Sequence, residues 1–266
     1  MAMRTGTVLA VFVLSAIPAL AADKLKPEEV IARHLEAVGP VEARTAARAA
    51  EGPCSLGTLA SRLSGALTGQ FRLDSEPGRF ALTMKFPSDR NFQETFVLND
   101  GRVDIGFTQP GKRSGLANFL SVNNLIVAEG LLGGVLNGSW PLLNLAERGA
   151  KLSYDGLKKV DGREAHRLSY RPKKAQGTLE VFLFFEPDTF RHVGSLYKTS
   201  QAQPMGATIE ASSQMSDTYF EVEERFSDWK AASGLILPAA WKIEYTMRAR
   251  STDAWTYELT ADSFGK

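Results

Sequence analysis

The stretch Asn123–Leu145, "NNLIVAEGLLGGVLNGSWPLLNL", decides how this chain can fold. From Ser114 to Ala146 the only ionisable side chain is Glu129, in a chain that is 44% hydrophobic and 23% charged. A membrane span needs about 20 continuously apolar residues, and this region is broken by Asn118, Asn123, Asn124, Gly130, Gly133, Gly134, Gly138 and Pro141. Its apolar residues Phe119, Leu120, Leu125, Ile126, Leu131, Leu132, Val135 and Leu136 form no narrow stripe. That pattern predicts a helix or broken helix that is apolar nearly all round and enclosed by the rest of the protein. Glycine and asparagine lower helix propensity by up to about 1 kcal/mol each, which favours a segment able to shift, a lid.

What encloses it is read from the flanking sequence. From Thr68 onward the hydrophobic period is two. In "RFALTMKF" Phe80, Leu82, Met84 and Phe86 oppose Ala81, Thr83 and Lys85; in "AWKIEYTMR" Trp241, Ile243, Tyr245 and Met247 oppose Lys242, Glu244, Thr246 and Arg248. "AWTYELTAD" repeats the alternation with Trp255, Tyr257 and Leu259. Such segments are half-buried antiparallel strands. Further strand candidates are "FQETFVLN", "RVDIGF", "AKLSYDGL", "EAHRLSYRP", "TLEVFLFFE", "HVGSLYKTS", "ATIEASS" and "FEVEERFSDW", separated by turn signals at Asn99-Asp100-Gly101, Asp161-Gly162 and Pro187-Asp188. About ten or eleven strands result, a number at which an open sheet curls. The expected fold is mainly β with a few helices: a single incurved antiparallel sheet, or half-barrel, with helices over its concave face.

The first residues read as an export signal, with Arg4, an apolar run from Val8 to Ile17 and the small-residue site Ala19-Leu20-Ala21. Residues 1–21 are thus expected to be a signal peptide and 22–266 one half-barrel domain in the periplasm, without a lipid anchor because the sole cysteine, Cys54, lies far beyond the cleavage site. Removing Arg4 takes the formal charge from +1 to zero, so nothing favours nucleic acid. One cysteine excludes an internal disulfide framework. "DKLKPEEVIARHLEAVGP" reads as a helix started by Pro27 and stopped by Gly39-Pro40, with Val30, Ile31, Leu35 and Val38 on its packed face and His34 at the boundary. A second helix is expected from Val41 to Ala50.

No catalytic or metal-binding pattern emerges. The chain lacks the Gly-x-Ser-x-Gly, phosphate-loop and His-Glu-x-x-His motifs. His34, His166 and His192 are widely spaced, and Ser195 and Lys198 of "SLYK" fall on opposite faces of a strand. Glu221, Glu223 and Glu224 read as a solvated strand face. Neither a cofactor nor a metal is expected.

The order of elements, with "VDGREAHRLSYRP", "LEVFLFFEPDTFRHVGS" and "FSDWKAASGLILPAAWKIEY", resembles the periplasmic outer-membrane lipoprotein carriers of the LolA-like lipoprotein-sorting superfamily. The similarity rests on Val160 with Gly162, on Asp188-Thr189-Phe190, and on Asp228-Trp229 with Gly234 and Pro238. It implies a half-barrel that shields the acyl chains of a lipid or lipoprotein in transit between a donor and an acceptor membrane complex, as a monomer and without chemistry of its own. It also implies an early-strand arginine that holds the lid, for which Arg72 and Arg79 are both candidates. The acyl-contacting face is expected at Phe80, Leu82, Met84, Phe86, Phe96, Trp241, Ile243, Tyr245, Trp255, Tyr257 and Leu259, and the lid at the apolar residues of 119–136 named above. The alternative is a non-enzymatic sensory or protein-binding module of the same fold whose core is permanently packed.

Overall fold

The computed structural model describes residues 25–59, 66–88, 92–174, 177–202 and 217–265. The expected signal peptide and the strand candidate "ATIEASS" lie outside them. In chain order the first run of strands is β1 (Arg48–Thr58), β2 (Leu67–Glu76), β3 (Arg79–Phe86), β4 (Phe92–Asn99) and β5 (Arg102–Ile105). The second is β6 (Lys151–Val160), β7 (Arg163–Arg171), β8 (Glu180–Phe185), β9 (His192–Gln201), β10 (Thr218–Ala232), β11 (Leu235–Arg248) and β12 (Thr252–Thr260), followed by a short β13 (Ser263–Gly265). Each run is a meander, in which strands consecutive in the chain pair with one another. At Asp100-Gly101 (φ 46° and 85°) and Asp161-Gly162 (φ 49° and 78°) both central residues are left-handed, as two-residue hairpins require.

Pairing of β12 with β1 fuses the two meanders into one antiparallel sheet of 13 strands, in the order β5-β4-β3-β2-β1-β12-β11-β10-β9-β8-β7-β6, with β13 added beside β1. The sheet does not close: β5 and β6 are its two edges. The alternation read from the sequence is realised, for Phe80, Leu82, Met84 and Phe86 are buried along β3 while the residues between them are not.

This topology dictates where the uncharged middle of the chain must go. β5 and β6 are consecutive strands at opposite edges, so the connection between them has to span the sheet from rim to rim. With Glu129 as its only ionisable side chain from Ser114 to Ala146, it crosses on the oily face. It does so as α2's successors in the chain, α3 (Gly115–Val122) and α4 (Leu125–Ala128), two 3-10 turns (Gly134–Leu136 and Pro141–Leu143) and α5 (Leu145–Arg148), after α1 (Pro27–Val38) and α2 (Val41–Arg44) near the N-terminus. Ser114 starts α3 by accepting the Ala117 N–H at 2.9 Å. Helix α1 packs against β11, β6 and the second 3-10 turn, so it shares that face. Among the described residues no helix is long and apolar enough to cross a membrane.

Two expectations are corrected. The sheet has 13 strands rather than ten or eleven. The helix expected from Val41 to Ala50 stops at Arg44, and β1 begins at Arg48. β1 was hidden because Gly52, Pro53 and Gly57 look like breakers in "RAAEGPCSLGT". In the fold Gly52 permits a close approach: a Cβ there would lie 2.1 Å from the Thr260 carbonyl oxygen across the strand pair. Cys54 faces inward from β1 and is buried, and desolvation pushes its thiol up to about 11, so it is an inert core residue.

Candidate functional site: the lid and the face beneath it

The site is the contact between the rim-to-rim connection and the inner face of the sheet. Of the residues expected to line that face, Phe80, Leu82, Met84, Phe86, Phe96, Trp241, Ile243, Tyr245, Tyr257 and Leu259 are buried in a single core. Phe119, Leu120, Ile126, Leu131, Leu132, Val135 and Leu136 of the lid belong to the same core. Trp255 and Leu125 are half-buried, Trp255 lying against Phe92 at 6.0 Å between ring centroids. The Phe119 ring meets Tyr245 edge-on at 6.4 Å. A Cβ at Gly133 would lie 3.4 Å from both the Phe80 and Trp241 rings, so this glycine lets the lid backbone down onto the aromatic floor. Beside α3 a cleft of about 370 Å³ reaches the surface, lined by Asn118, Phe119, Val122, Phe220 and Tyr245 among others.

Polar groups hold this oily contact in place. Glu224 is fully buried, contrary to the solvated face expected for Glu221, Glu223 and Glu224. Its Oε1 accepts the Gly133 N–H at 2.8 Å, and its Oε2 lies 2.6 Å from the Tyr197 hydroxyl, which also reaches the Leu131 carbonyl at 3.0 Å. Burial pushes the Glu224 carboxyl up to about 7, against the opposing pull of its hydrogen bonds, and raises the Tyr197 phenol well above its ordinary range. Glu94 repeats the device at the other end of the lid. It receives the Tyr257 hydroxyl at 2.7 Å, and burial lifts it to about 7 even though Tyr257 and Ser114, the cap of α3, both favour its charged form.

His34 is likewise interior rather than at a boundary. Its Nδ1 donates to the Phe190 carbonyl at 3.0 Å, which leaves Nε2 as acceptor for the Trp140 indole N–H at 3.3 Å. Desolvation lowers its pKa to about 4, so the ring is neutral. Phe190 sits at φ 55° in the turn Asp188-Thr189-Phe190, and that left-handed bend aims its carbonyl at the helix. The fold brings His34 and His192, distant in sequence, to 6.2 Å between ring centroids, with Trp140 of the lid 4.6 Å from His192. Burial drives His192 well below its ordinary range. Among the described residues no group of three or more metal-ligating side chains occurs. Ser195 is buried and Lys198 points outward to Glu221 at 3.1 Å, as the strand reading required.

The arginine that touches the lid is neither Arg72 nor Arg79. Those two lie on the outer surface in ion pairs with Asp74 and Glu51, and with Glu76 and Asp100. Arg48, at the start of the strand the sequence had hidden, is buried and donates from Nη1 to the Val135 carbonyl at 2.5 Å. Further along, Gly138 N–H bonds Ser75 Oγ at 2.7 Å and Gly78 N–H bonds Ser139 Oγ at 2.9 Å. Arg148 closes the far end by pairing with Glu129 at 3.5 Å and with the Ser139 carbonyl at 2.8 Å.

No protein-family description matches the chain, and no curated protein does so either. Solved structures do. A LolA superfamily protein from Nitrosomonas europaea is 9% identical, with 90% of this chain and 93% of that one covered and a TM-score of 0.46. A DUF1329 family protein from Desulfovibrio piger is 13% identical over 89% and 91%, TM-score 0.46. A domain from Vibrio parahaemolyticus described as outer membrane lipoprotein-sorting is 10% identical over 90% and 92%, TM-score 0.41.

The residues the sequence reading missed were within reach of its own rule. Glu224 is two positions from Val222 and from Phe226, and Glu94 two from Phe92 and Phe96, so strict alternation places both carboxyls on the oily face. His34 is likewise three and four residues from Ile31 and Val38 on the helix stripe.

Proposed function

We propose that residues 1–21 direct this chain to the periplasm and that it works there, as a monomer, as a non-enzymatic carrier or binder of lipid or lipoprotein acyl chains. The inner face of the sheet holds the chains, and the connection between the two edge strands moves aside to admit them. One observation carries this reading: a single glycine-punctuated segment, with Glu129 its only ionisable side chain from Ser114 to Ala146, packs with the apolar face of the sheet in one core. Each acyl CH2 kept from water is worth about 0.8 kcal/mol, so a multi-chain lipid needs such a surface to cross an aqueous compartment. Displacing the lid breaks the Glu224, Tyr197, Arg48 and Ser75 contacts, and an incoming chain replaces its apolar burial. The cleft beside Phe119 and Tyr245 is a natural point of entry.

A second reading, a protein-binding module with a permanently seated lid, is favoured by the tight burial of Leu120, Ile126, Leu131 and Leu132. Mass spectrometry of organic extracts from gently purified protein separates the two. A carrier arrives loaded with acyl-chain lipid. Empty extracts, together with no uptake of a fatty-acyl probe by delipidated protein, would leave the binding module as the function.

A further inference from the structure

Among the described residues Arg48 is a buried cation that forms no ion pair. It is 4% exposed; Nη1 donates to the Val135 carbonyl, Nη2 to the Arg44 carbonyl, and Nε has no partner among those residues. Its partners are neutral backbone oxygens, and burial alone, with no neighbouring carboxylate, lowers the guanidinium to about 10. The interior acids do not compensate, since Glu224 is engaged by Gly133 and Tyr197 and Glu94 by Tyr257. A buried charge without a counter-ion costs several kcal/mol, and a core position that needed only volume would be filled by an aliphatic side chain. Arginine's planar set of N–H donors is suited to carboxylate and phosphate.

The guanidinium bonds the 3-10 turn Gly134–Leu136, which packs against β9 and β11. When that turn lifts, the Nη1 donor loses Val135 and joins the unpartnered Nε, beside the apolar face vacated by Leu131, Leu132 and Leu136. A charged end and an oily surface thus become available together.

We infer that Arg48 is the docking point for the anionic head group, a carboxylate or phosphate, of an amphiphile whose acyl chain occupies the space beneath the lid. This rests on the carrier reading and adds a ligand class to it: anionic amphiphiles are preferred over neutral ones with the same chain.

The test uses the delipidated full chain and a fluorescent polyene fatty acid at pH 8, with its methyl ester as the neutral control and inorganic phosphate as competitor. The acid should bind at least ten-fold more tightly than the ester, and millimolar phosphate without a chain should not displace it. Arg48→Leu should bring the acid down to the level of the ester while leaving ester binding equal or tighter, and Arg48→Lys should keep part of the preference. Equal binding of acid and ester by the wild-type protein overturns the head-group assignment and leaves the carrier reading standing. Binding of neither overturns both. Displacement of the acid by phosphate alone reduces the site to a simple anion pocket and also overturns the inference. The wild-type ratio needs no variant, so it decides even if Arg48→Leu fails to fold; near-UV circular dichroism checks the folding of each variant.

Discussion

The Tyr197 hydroxyl lies 2.6 Å from Glu224 Oε2 and 3.0 Å from the Leu131 carbonyl, so one phenol links a buried acid to the lid. A protonated Glu224 donates to the phenol oxygen, and the phenol hydrogen then serves Leu131. An ionised Glu224 takes that hydrogen for itself, and the Leu131 carbonyl keeps only the longer Gly134 N–H at 3.3 Å. Loss of one proton therefore weakens one of the bonds that seat the lid.

This gives the pH dependence a definite sign. Glu94 and Glu224 are raised from 4.5 to about 7, so the stability they contribute is full below pH 4.5 and is lost as pH rises through 7. His34 is lowered from 6.5 to about 4, so its contribution is present above pH 6.5 and is lost as pH falls through 4. Below pH 6.5 the lowered His34 and His192 gain stability with rising pH and oppose the carboxyl trend, so the carboxyl contribution is read as a difference. The stability of the wild type relative to a Glu94→Gln, Glu224→Gln double variant, from urea unfolding, should fall between pH 5 and pH 8 by on the order of 3 kcal/mol for each carboxyl. Parallel pH profiles for the two proteins would rule out a contribution from either carboxyl.

Replacing His34 by Leu leaves the Phe190 carbonyl and the Trp140 indole N–H buried without partners. The expected cost is about 1–3 kcal/mol, seen as a lower urea midpoint at pH 7. Because the leucine cannot ionise, the loss should shrink as pH falls toward 4. A difference that stays constant with pH would assign the whole effect to packing.

Gly130 adopts φ +72°, and a Cβ there would lie 2.3 Å from the Ser139 carbonyl oxygen. Gly130→Ala should destabilise the protein by about 2 kcal/mol or more, through both strain and clash. Gly101 also has positive φ but nothing within 4 Å, so Gly101→Ala should cost less. Thermal melts that rank the two in the opposite order would show that the 130–139 contact is slack.

Trp140, in the lid, is fully buried against His192 and His34. In a variant retaining only this tryptophan, uptake of a saturated fatty acid should red-shift its emission as the lid lifts, and hydrogen exchange of the Gly133 and Gly138 amides should quicken. Uptake with neither change would mean that the ligand binds outside the lid.

The fold was legible wherever side chains report burial by alternation. Phe80 to Phe86 and Trp241 to Met247 named a one-sided sheet, and the absence of charge between Ser114 and Ala146, apart from Glu129, named the segment that covers it. Strand β1 was illegible because Gly52 and Pro53 act as breakers in isolation, while long-range pairing to β2, β12 and β13 overrides them. Arg48 went unnoticed with it. Glu224 and His34 were misjudged, and Glu94 was passed over, because polarity was read before position, although each occupies an inward slot of its element. The meeting of His34 with His192 depends on tertiary approach and leaves no local trace.

A cover sewn to both rims of a bowl behaves differently from a door on one hinge. The connection runs from β5 to β6, so neither of its ends can swing free; it can only bow away from the floor or slacken as the rims draw together. On the carrier reading, a guest would be threaded lengthwise beneath a bridge, an arrangement that suits slender flexible tails better than bulky rigid rings.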